Sequence, residues 1–476
     1  MLEDALLTPS LVYAVVSLAL VLLIKSALFP PLPDNIPPFP VRPWPVLGHL
    51  PYLLTGQRQK LLDWRKTTGD IFSLYFGSRL LVILNGHRLV RDGLVRNADS
   101  LSNRPPWAHL DGSTNGIIFS NGTLWKEQRT VSIAILRSFG MGKGALSDKI
   151  HEEIASYLDA LAGLGGKPSD VALLTRTSVS NVICSIIVGK RFEYNDPFFA
   201  AFMDSFDKQV QASENTAPVM FWPWLRHIPG NFMNSKTLNN CVKEMLGEFC
   251  DKFINLARKD GDENMPNCFI AEYWKAMKER KSYSSTTTLD ETNLRWVLLQ
   301  LFFAGTDTTS STILWFIYYM LRHPHIQEEE EVHICPSIHP SLQPPISVPH
   351  FAAGDVTLQG YTIPAGATVL PNLDSVMMDE KVWEEPLKFS PRRFIDAAGS
   401  LIKHEAFMPF SVGRRMCMGE ALANMELFLF LSCLVQRFRL ESALPGHPPS
   451  VRPVDAIVSA PGEFHARFVH RAAQRT

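Results

Sequence analysis

The chain has 476 residues, 46% of them hydrophobic, enough for a large buried core in one domain or two. Lys and Arg number 46 against 47 Asp and Glu; this formal net charge of −1, with no long basic run, carries no nucleic-acid footprint. Seven cysteines (184, 241, 250, 268, 335, 417, 433) lack Cys-x-x-Cys spacing, which argues against structural zinc or a disulfide framework and for a reducing compartment.

Residues 11–24 form a run of 14 interrupted only by Ser17; taken over 6–28 the apolar stretch has 23 residues. That length spans a bilayer with some tilt if Lys25 snorkels to the interface. Glu3 and Asp4 precede the run while Lys25 and Arg42 follow it, which places the bulk of the chain on the cytoplasmic side. A cleaved signal peptide fits less well, because the leading segment is acidic and no clear small-residue cleavage site follows. Residues 1–28 are therefore predicted as a retained single-pass anchor. Residues 29–48, with eight prolines closing on Gly48, read as a stiff hinge, and 49–476 as the globular body.

In the body, residues 70–84 predict a hairpin-based sheet. Helical periods run through 125–139, 148–164, 170–188, 198–213 and 235–258, and the Ser/Thr-rich stretch 283–288 is predicted as a loop. Within the first helix Trp125 and Arg129, four apart, share a face; alone such a pair more often covers apolar surface or meets solvent. The preceding Asn121-Gly122-Thr123 is a formal glycosylation sequon that a cytosolic location would leave unused.

Residues 290–322 predict one helix of roughly 50 Å, apolar around nearly all its circumference and hence buried. Its centre, Ala304-Gly305-Thr306-Asp307-Thr308-Thr309-Ser310-Ser311, is polar. Such a run is costly in a core unless its groups find partners. The threonines could simply bond preceding carbonyls and bend the helix, and Gly305 could let the backbone pass close to a ligand. Strand signals return at 356–363, around Val369 and at 463–469.

Residues 410–419 read Phe-Ser-Val-Gly-Arg-Arg-Met-Cys-Met-Gly, ahead of a helical pattern at 420–434. Cys417 thus falls near a helix N-terminus, where free N–H groups favour a thiolate. Gly413 and Gly419 allow close approach of a flat ligand. The plain alternative is a buried structural cysteine.

The spacing Phe-x-x-Gly-x-Arg-x-Cys-x-Gly, the Ala-Gly-x-Asp-Thr-Thr run and Trp-x-x-x-Arg together resemble the cytochrome P450 family, closest to its animal microsomal drug- and lipid-metabolising members. The resemblance implies a mainly α prism fold with a small β subdomain, and haem b held by Cys417 as axial thiolate, a ligand that favours O–O cleavage. It places Trp125, Arg129, His350 and Arg415 on the haem propionates, with Arg104 as a further contact; Phe410, Gly413 and Gly419 shape the ligand loop. Thr308 becomes the hydroxyl beside the dioxygen site and Asp307 its link to solvent. The substrate pocket would draw on Ile118, Phe119, Phe199, Phe202, Phe303, Ala304, Val348 and Ile457. Arg137, Lys143 and Arg414 would belong to a basic face for an NADPH-dependent flavoprotein reductase, with cytochrome b5 as an additional partner. A lipophilic substrate, O2 and the endoplasmic reticulum bilayer complete the implied partners.

One segment departs from the pattern. Residues 325–348 contain no Glu-x-x-Arg and carry four prolines after Glu331 (336, 340, 344, 345), so the helices expected there are missing. Their usual partner is matched by Arg393, for which solvent exposure or an unpaired-charge penalty is expected. A shortened, non-catalytic relative with impaired haem incorporation is therefore the second functional expectation.

Overall fold

Residues 13–18, 20–21, 34–106, 114–140, 144–258, 267–283, 286–328, 346–450, 453–454 and 458–471 are described by the structure, a computed structural model. Most of the predicted anchor, Lys143, Ile457 and residues 329–345 of the shortened segment lie outside them. Residues 13–18 and 20–21 of the anchor are helical and exposed. No helix among the described residues is long and apolar enough to cross a membrane. The fold is mainly helical with small sheets, and the chain separates into two units, Met1–Asn103 with Val348–Asn372, and Arg104–Ser347 with Leu373–Thr476.

In the first unit α1 (Gln57–Thr68) buries Leu61 and Trp64. The predicted hairpin is β1 (Ile71–Phe76) and β2 (Arg79–Leu84), with Leu74 opposite Leu81. Both strands are buried almost throughout, which is why their apolar residues run on instead of alternating. The sheet is completed by β3 (His350–Phe351) and, after the small hairpin β4 (Val356–Leu358) and β5 (Tyr361–Ile363), by β6 (Thr368–Pro371). Its order is β1-β2-β6-β3, with only β2 and β6 parallel. The stretch 356–363 is thus two strands, reversed at Gln359 and Gly360, both at positive φ as a two-residue hairpin turn of type I′ demands.

The hinge expectation is revised at its C-terminal end, which is bonded along β1. Ser73 N–H donates to the Pro38 carbonyl at 2.8 Å, and His49 N–H to the Tyr75 carbonyl at 2.7 Å. Tyr75 N–H returns a bond to His49 Nδ1 at 2.8 Å. Gly48 (φ +65°) passes so close to Tyr75 that a Cβ would lie 2.1 Å from its carbonyl oxygen, so no other residue fits.

The second unit holds α2 (Gly122–Ser138), α3 (Gly144–Gly163), α4 (Ala172–Ile187), α5 (Pro197–Phe221), α6 (Ser235–Glu244), α7 (Cys250–Arg258), α8 (Phe269–Tyr283), α9 (Glu291–Arg322) and α10 (Glu420–Arg437). The single helix expected over 235–258 is interrupted by a π turn at Met245–Phe249. The long helix α9 starts where Asp290 caps it, its carboxylate accepting from Asn293 N–H at 2.7 Å. It packs against α4 and α10, and α10 packs against α3. The chain leaves α10 directly into β7 (Phe438–Ser442), paired with β8 (Ala466–His470).

Candidate functional site

The loop before α10 is closed by its own backbone. Cys417 N–H donates to the Phe410 carbonyl at 3.1 Å and Met416 N–H to the Gly413 carbonyl at 3.1 Å. Gly413 (φ +84°) supplies the left-handed residue that lets the loop reverse. Gly419 caps α10, and a Cβ there would lie 3.9 Å from the Cys417 sulfur. Cys417 carries exposed surface, yet burial is the leading influence on its thiol. That combination describes a sulfur on the wall of an internal recess. Burial pushes the thiol up, and the Glu420 charge adds to it; the Gly419 and Glu420 N–H groups at the helix start pull it down, as the helix-terminus position predicts, and so does Arg129, without offsetting burial. A thiolate at this place calls for a cation bound to the sulfur.

Around the loop three guanidinium groups converge. Arg104 and Arg415 are buried. Arg104 is pushed down to about 9 by burial, then by the charges of Arg415 and Arg129; Arg415 is pushed down to about 9 by burial and by Arg129. Arg415 donates to the carbonyls of Ile117 (3.3 Å) and Ser120 (2.8 Å) and to Asn121 Oδ1 (3.1 Å), with its guanidinium 3.9 Å from the Trp125 ring centroid. Arg129 donates to the Met416 carbonyl at 2.6 Å. The Trp125 indole N–H is buried and, among the described residues, without a hydrogen-bond partner. Mutually repelling cations beside an orphaned donor favour an anion. A flat dianionic group with a metal at its centre fits this set: sulfur for the metal, guanidiniums and indole for the carboxylates. His350 lies in the first unit, buried on β3, with Nδ1 at 2.6 Å from the Leu101 carbonyl; Val348 there is exposed.

Asn121, read in the sequence only as a sequon, is the residue that reasoning missed. Its Oδ1 accepts from Arg104 N–H at 2.7 Å as well as from Arg415, and its Nδ2 donates to the Arg104 carbonyl at 2.9 Å. The Asx residue before a helix was the available signal.

The polar centre of α9 is sorted by direction. Gly305 faces α4, where a Cβ would meet Ile183 Cδ1 at 2.6 Å, so its role is helix packing and the ligand-approach expectation is corrected. Thr306 accepts from the Ser180 hydroxyl of α4 at 3.2 Å. On the remaining sector Ala304 is exposed, and Phe303, Asp307 and Thr308 are half-buried, in a helix otherwise largely enclosed. The Thr308 hydroxyl donates to the Ala304 carbonyl at 2.7 Å. Ile118 and Phe119 are likewise half-buried. Phe199 and Phe202 sit differently, 1% and 2% exposed, within an aromatic cluster that includes Phe192, Phe253 and Phe302.

Thr309 hydrogen-bonds Glu426 of α10, a fully buried carboxyl whose Oε1 has no partner among the described residues. Burial pushes Glu426 up from 4.5 to about 8, outweighing the Thr309 bond. A raised carboxyl leaves folding unpenalised below its unfolded value and costs stability as pH rises toward its folded one. Glu426→Gln is therefore expected to melt close to the parent at pH 5 and several degrees above it at pH 8, by thermal unfolding at the two pH values.

Arg393 lies partly exposed, as one of its two expected fates has it. Its guanidinium is half-buried and donates to the carbonyls of Ser390 (3.3 Å), Glu385 (3.1 Å) and Lys388 (2.8 Å), all in its own loop.

A loop cysteine ahead of α10, with Arg129 acting on its sulfur and Arg104 and Arg415 nearby, suits a haem held through sulfur. The family model described as Cytochrome P450 matches residues 37–333 and 338–467. The chain is similar to Cytochrome P450 2D3 of Rattus norvegicus, 34% identical over 470 residues, covering 90% of this chain and 92% of the relative. It is 35% identical to Cytochrome P450 2U1 of Bos taurus over 480 residues, 88% of each chain. With Cytochrome P450 2B4 of Oryctolagus cuniculus it shares 33% over 494 residues, 97% of this chain and 99% of the relative. The chain belongs to the cytochrome P450 family. The family's cofactor is haem with a cysteine thiolate as axial ligand, and its general activity is oxidoreductive monooxygenation.

Proposed function

We propose that this chain is a membrane-anchored monooxygenase that inserts one oxygen atom of O2 into a lipophilic organic molecule (xenobiotic, fatty acid or steroid-like). Electrons come from NADPH through a flavoprotein reductase, with cytochrome b5 as an additional donor. Residues 1–28 form the single-pass anchor in the endoplasmic reticulum membrane, the following proline-rich stretch leads into the body, and the body lies on the cytoplasmic side. The observation that carries the reading is the recessed Cys417 sulfur beside the Arg104–Arg415–Arg129 cluster and the orphaned Trp125 N–H.

Haem, when bound, supplies dioxygen activation. The chain's own residues do the rest. Cys417 would hold the metal through Sγ as a thiolate, and Arg104, Arg129, Arg415 and Trp125 would hold the carboxylates by charge-assisted and neutral donors. Thr308 already donates its hydroxyl proton to the Ala304 carbonyl, which leaves its oxygen lone pairs as the acceptor toward the recess. Asp307, next to it, links that hydroxyl to solvent. Apolar Ile118, Phe119 and Phe303 suit a lipophilic substrate and exclude water.

The test is the carbon-monoxide difference spectrum of the reduced, full-length chain, followed by NADPH- and reductase-dependent oxidation of a fatty acid, a steroid and an alkoxycoumarin. A thiolate-type band with turnover of one probe is expected; the absence of the band overturns the proposal. That absence would favour the second reading, a shortened relative that does not retain haem, which the missing Glu-x-x-Arg in 325–348 supports. If Thr308 directs protons, Thr308→Ala should keep the band yet form at least about tenfold less product per NADPH consumed, the excess electrons appearing as peroxide.

A further inference from the structure

Residues 115–120 belong to no helix or strand, yet eight of the twelve backbone polar groups in this strap have a side-chain partner. On one side α9 takes the donors: Asn293 Oδ1 accepts from Gly116 N–H at 3.0 Å, and Gln300 Oε1 accepts from both Ile117 (2.7 Å) and Ile118 (3.0 Å). Gln300 Nε2 also donates to the Asn115 carbonyl at 3.0 Å. On the other side the guanidiniums take the acceptors, Arg415 at Ile117 and Ser120, and Arg104 at Ile118 (3.1 Å). The Gly116 carbonyl is bonded by the Ser120 hydroxyl at 2.6 Å. Gly116 lies against Gln300 so closely that a Cβ would fall 2.6 Å from Oε1, which leaves no room for slippage. Gln300 itself is only 8% exposed.

We infer that Gln300 is a specificity-determining positioning residue: its amide latches the strap to α9 and thereby fixes Ile118 and Phe119 as a rigid wall of the substrate pocket. An amide accepts from two N–H groups while donating to a carbonyl; an ionised carboxylate keeps the two accepted bonds and loses the donor, and an isosteric leucine offers neither. An irregular buried segment without those partners would leave three N–H and carbonyl groups unsatisfied and would open locally. The wall therefore selects by fixed shape, admitting flat or slender lipophilic molecules and rejecting those that require the strap to retreat. The latch stands on the hydrogen bonds; the word pocket rests on the proposed function.

The test uses the full-length chain and its Gln300→Leu and Gln300→Glu variants. Hydrogen–deuterium exchange over peptides spanning 114–121 reads the latch with or without haem. Exchange in Gln300→Leu should accelerate at least about tenfold, with Gln300→Glu in between. In the haem-loaded proteins, spectral titration with imidazole and 4-phenylimidazole reads the wall: the ratio of their dissociation constants should move about tenfold in Gln300→Leu while the imidazole value stays within about threefold. Parental exchange in Gln300→Leu overturns the latch. An unchanged ratio overturns the specificity role, as does loss of the carbon-monoxide band in that variant, which would put Gln300 in the cofactor seat. If the unaltered chain lacks the band, the proposed function fails, and the exchange comparison still decides the latch.

Discussion

Cys417→Ser is expected to eliminate the thiolate-type carbon-monoxide band and to reduce haem retention by at least about a hundredfold. The substitution removes only the sulfur. Gly413 still reverses the loop, and residue 417 N–H still reaches the Phe410 carbonyl, so the loop should keep its shape. What goes is a donor that can become a soft anion under a metal's charge; a serine hydroxyl there stays protonated and is a poor ligand for haem iron. Haem titration of the purified variant, with the band and the melting curve read on the same sample, checks this. A retained band in Cys417→Ser would remove the basis of the functional reading. A melting temperature close to that of the haem-free parent would confirm that the loss lies in ligation and not in folding.

Arg415→Ala should produce the second-largest effect. Arg415 joins two carbonyls of the strap to Asn121 and lies over the Trp125 ring, so its loss removes the donor that the Ile117 and Ser120 carbonyls share and opens the wall behind them. Hydrogen bonds from a charged, buried donor are worth about 1.5–3 kcal/mol each. Part of that is returned by relief of repulsion with Arg104 and Arg129. A net stability loss of about 3 kcal/mol follows, and with the guanidinium that would hold a carboxylate gone, haem affinity is expected to fall roughly a hundredfold. Arg415→Lys keeps the charge without the fork and should recover only about tenfold of it. Absorbance titration of haem into the three proteins measures the series. Equal affinity in parent and Arg415→Ala would mean that the cluster does not seat the carboxylates.

The parts legible in the sequence share one property: their signal is local. The Cys417 loop was readable because five fixed positions lie within ten residues, and α9 because apolar residues persist over nine turns. The strap was not, because its partners lie about 180 residues away at Asn293 and Gln300, and nothing near Asn115 or Ile117 announces them. The helix α1 went unread for the opposite reason: only Leu61 and Trp64 are buried in twelve residues, too few to print a period. Gly305 was misassigned because a glycine signals close approach without naming what approaches; the answer was Ile183 of α4. The burial that opposes the Cys417 thiolate is not legible, because helix-terminus position is visible in a sequence and depth of burial is not.

The stitching of Pro38 and His49 onto β1 also says where this chain can be cut. Trimming it back to the apparent end of the proline-rich stretch would strip an edge partner from the first sheet. Ser73 N–H would lose its acceptor, and the Phe39 ring, stacked 5.3 Å from that of Tyr75, would be gone. A soluble version made by removing the leading apolar segment should therefore begin upstream of Pro38, leaving that clasp on the molecule.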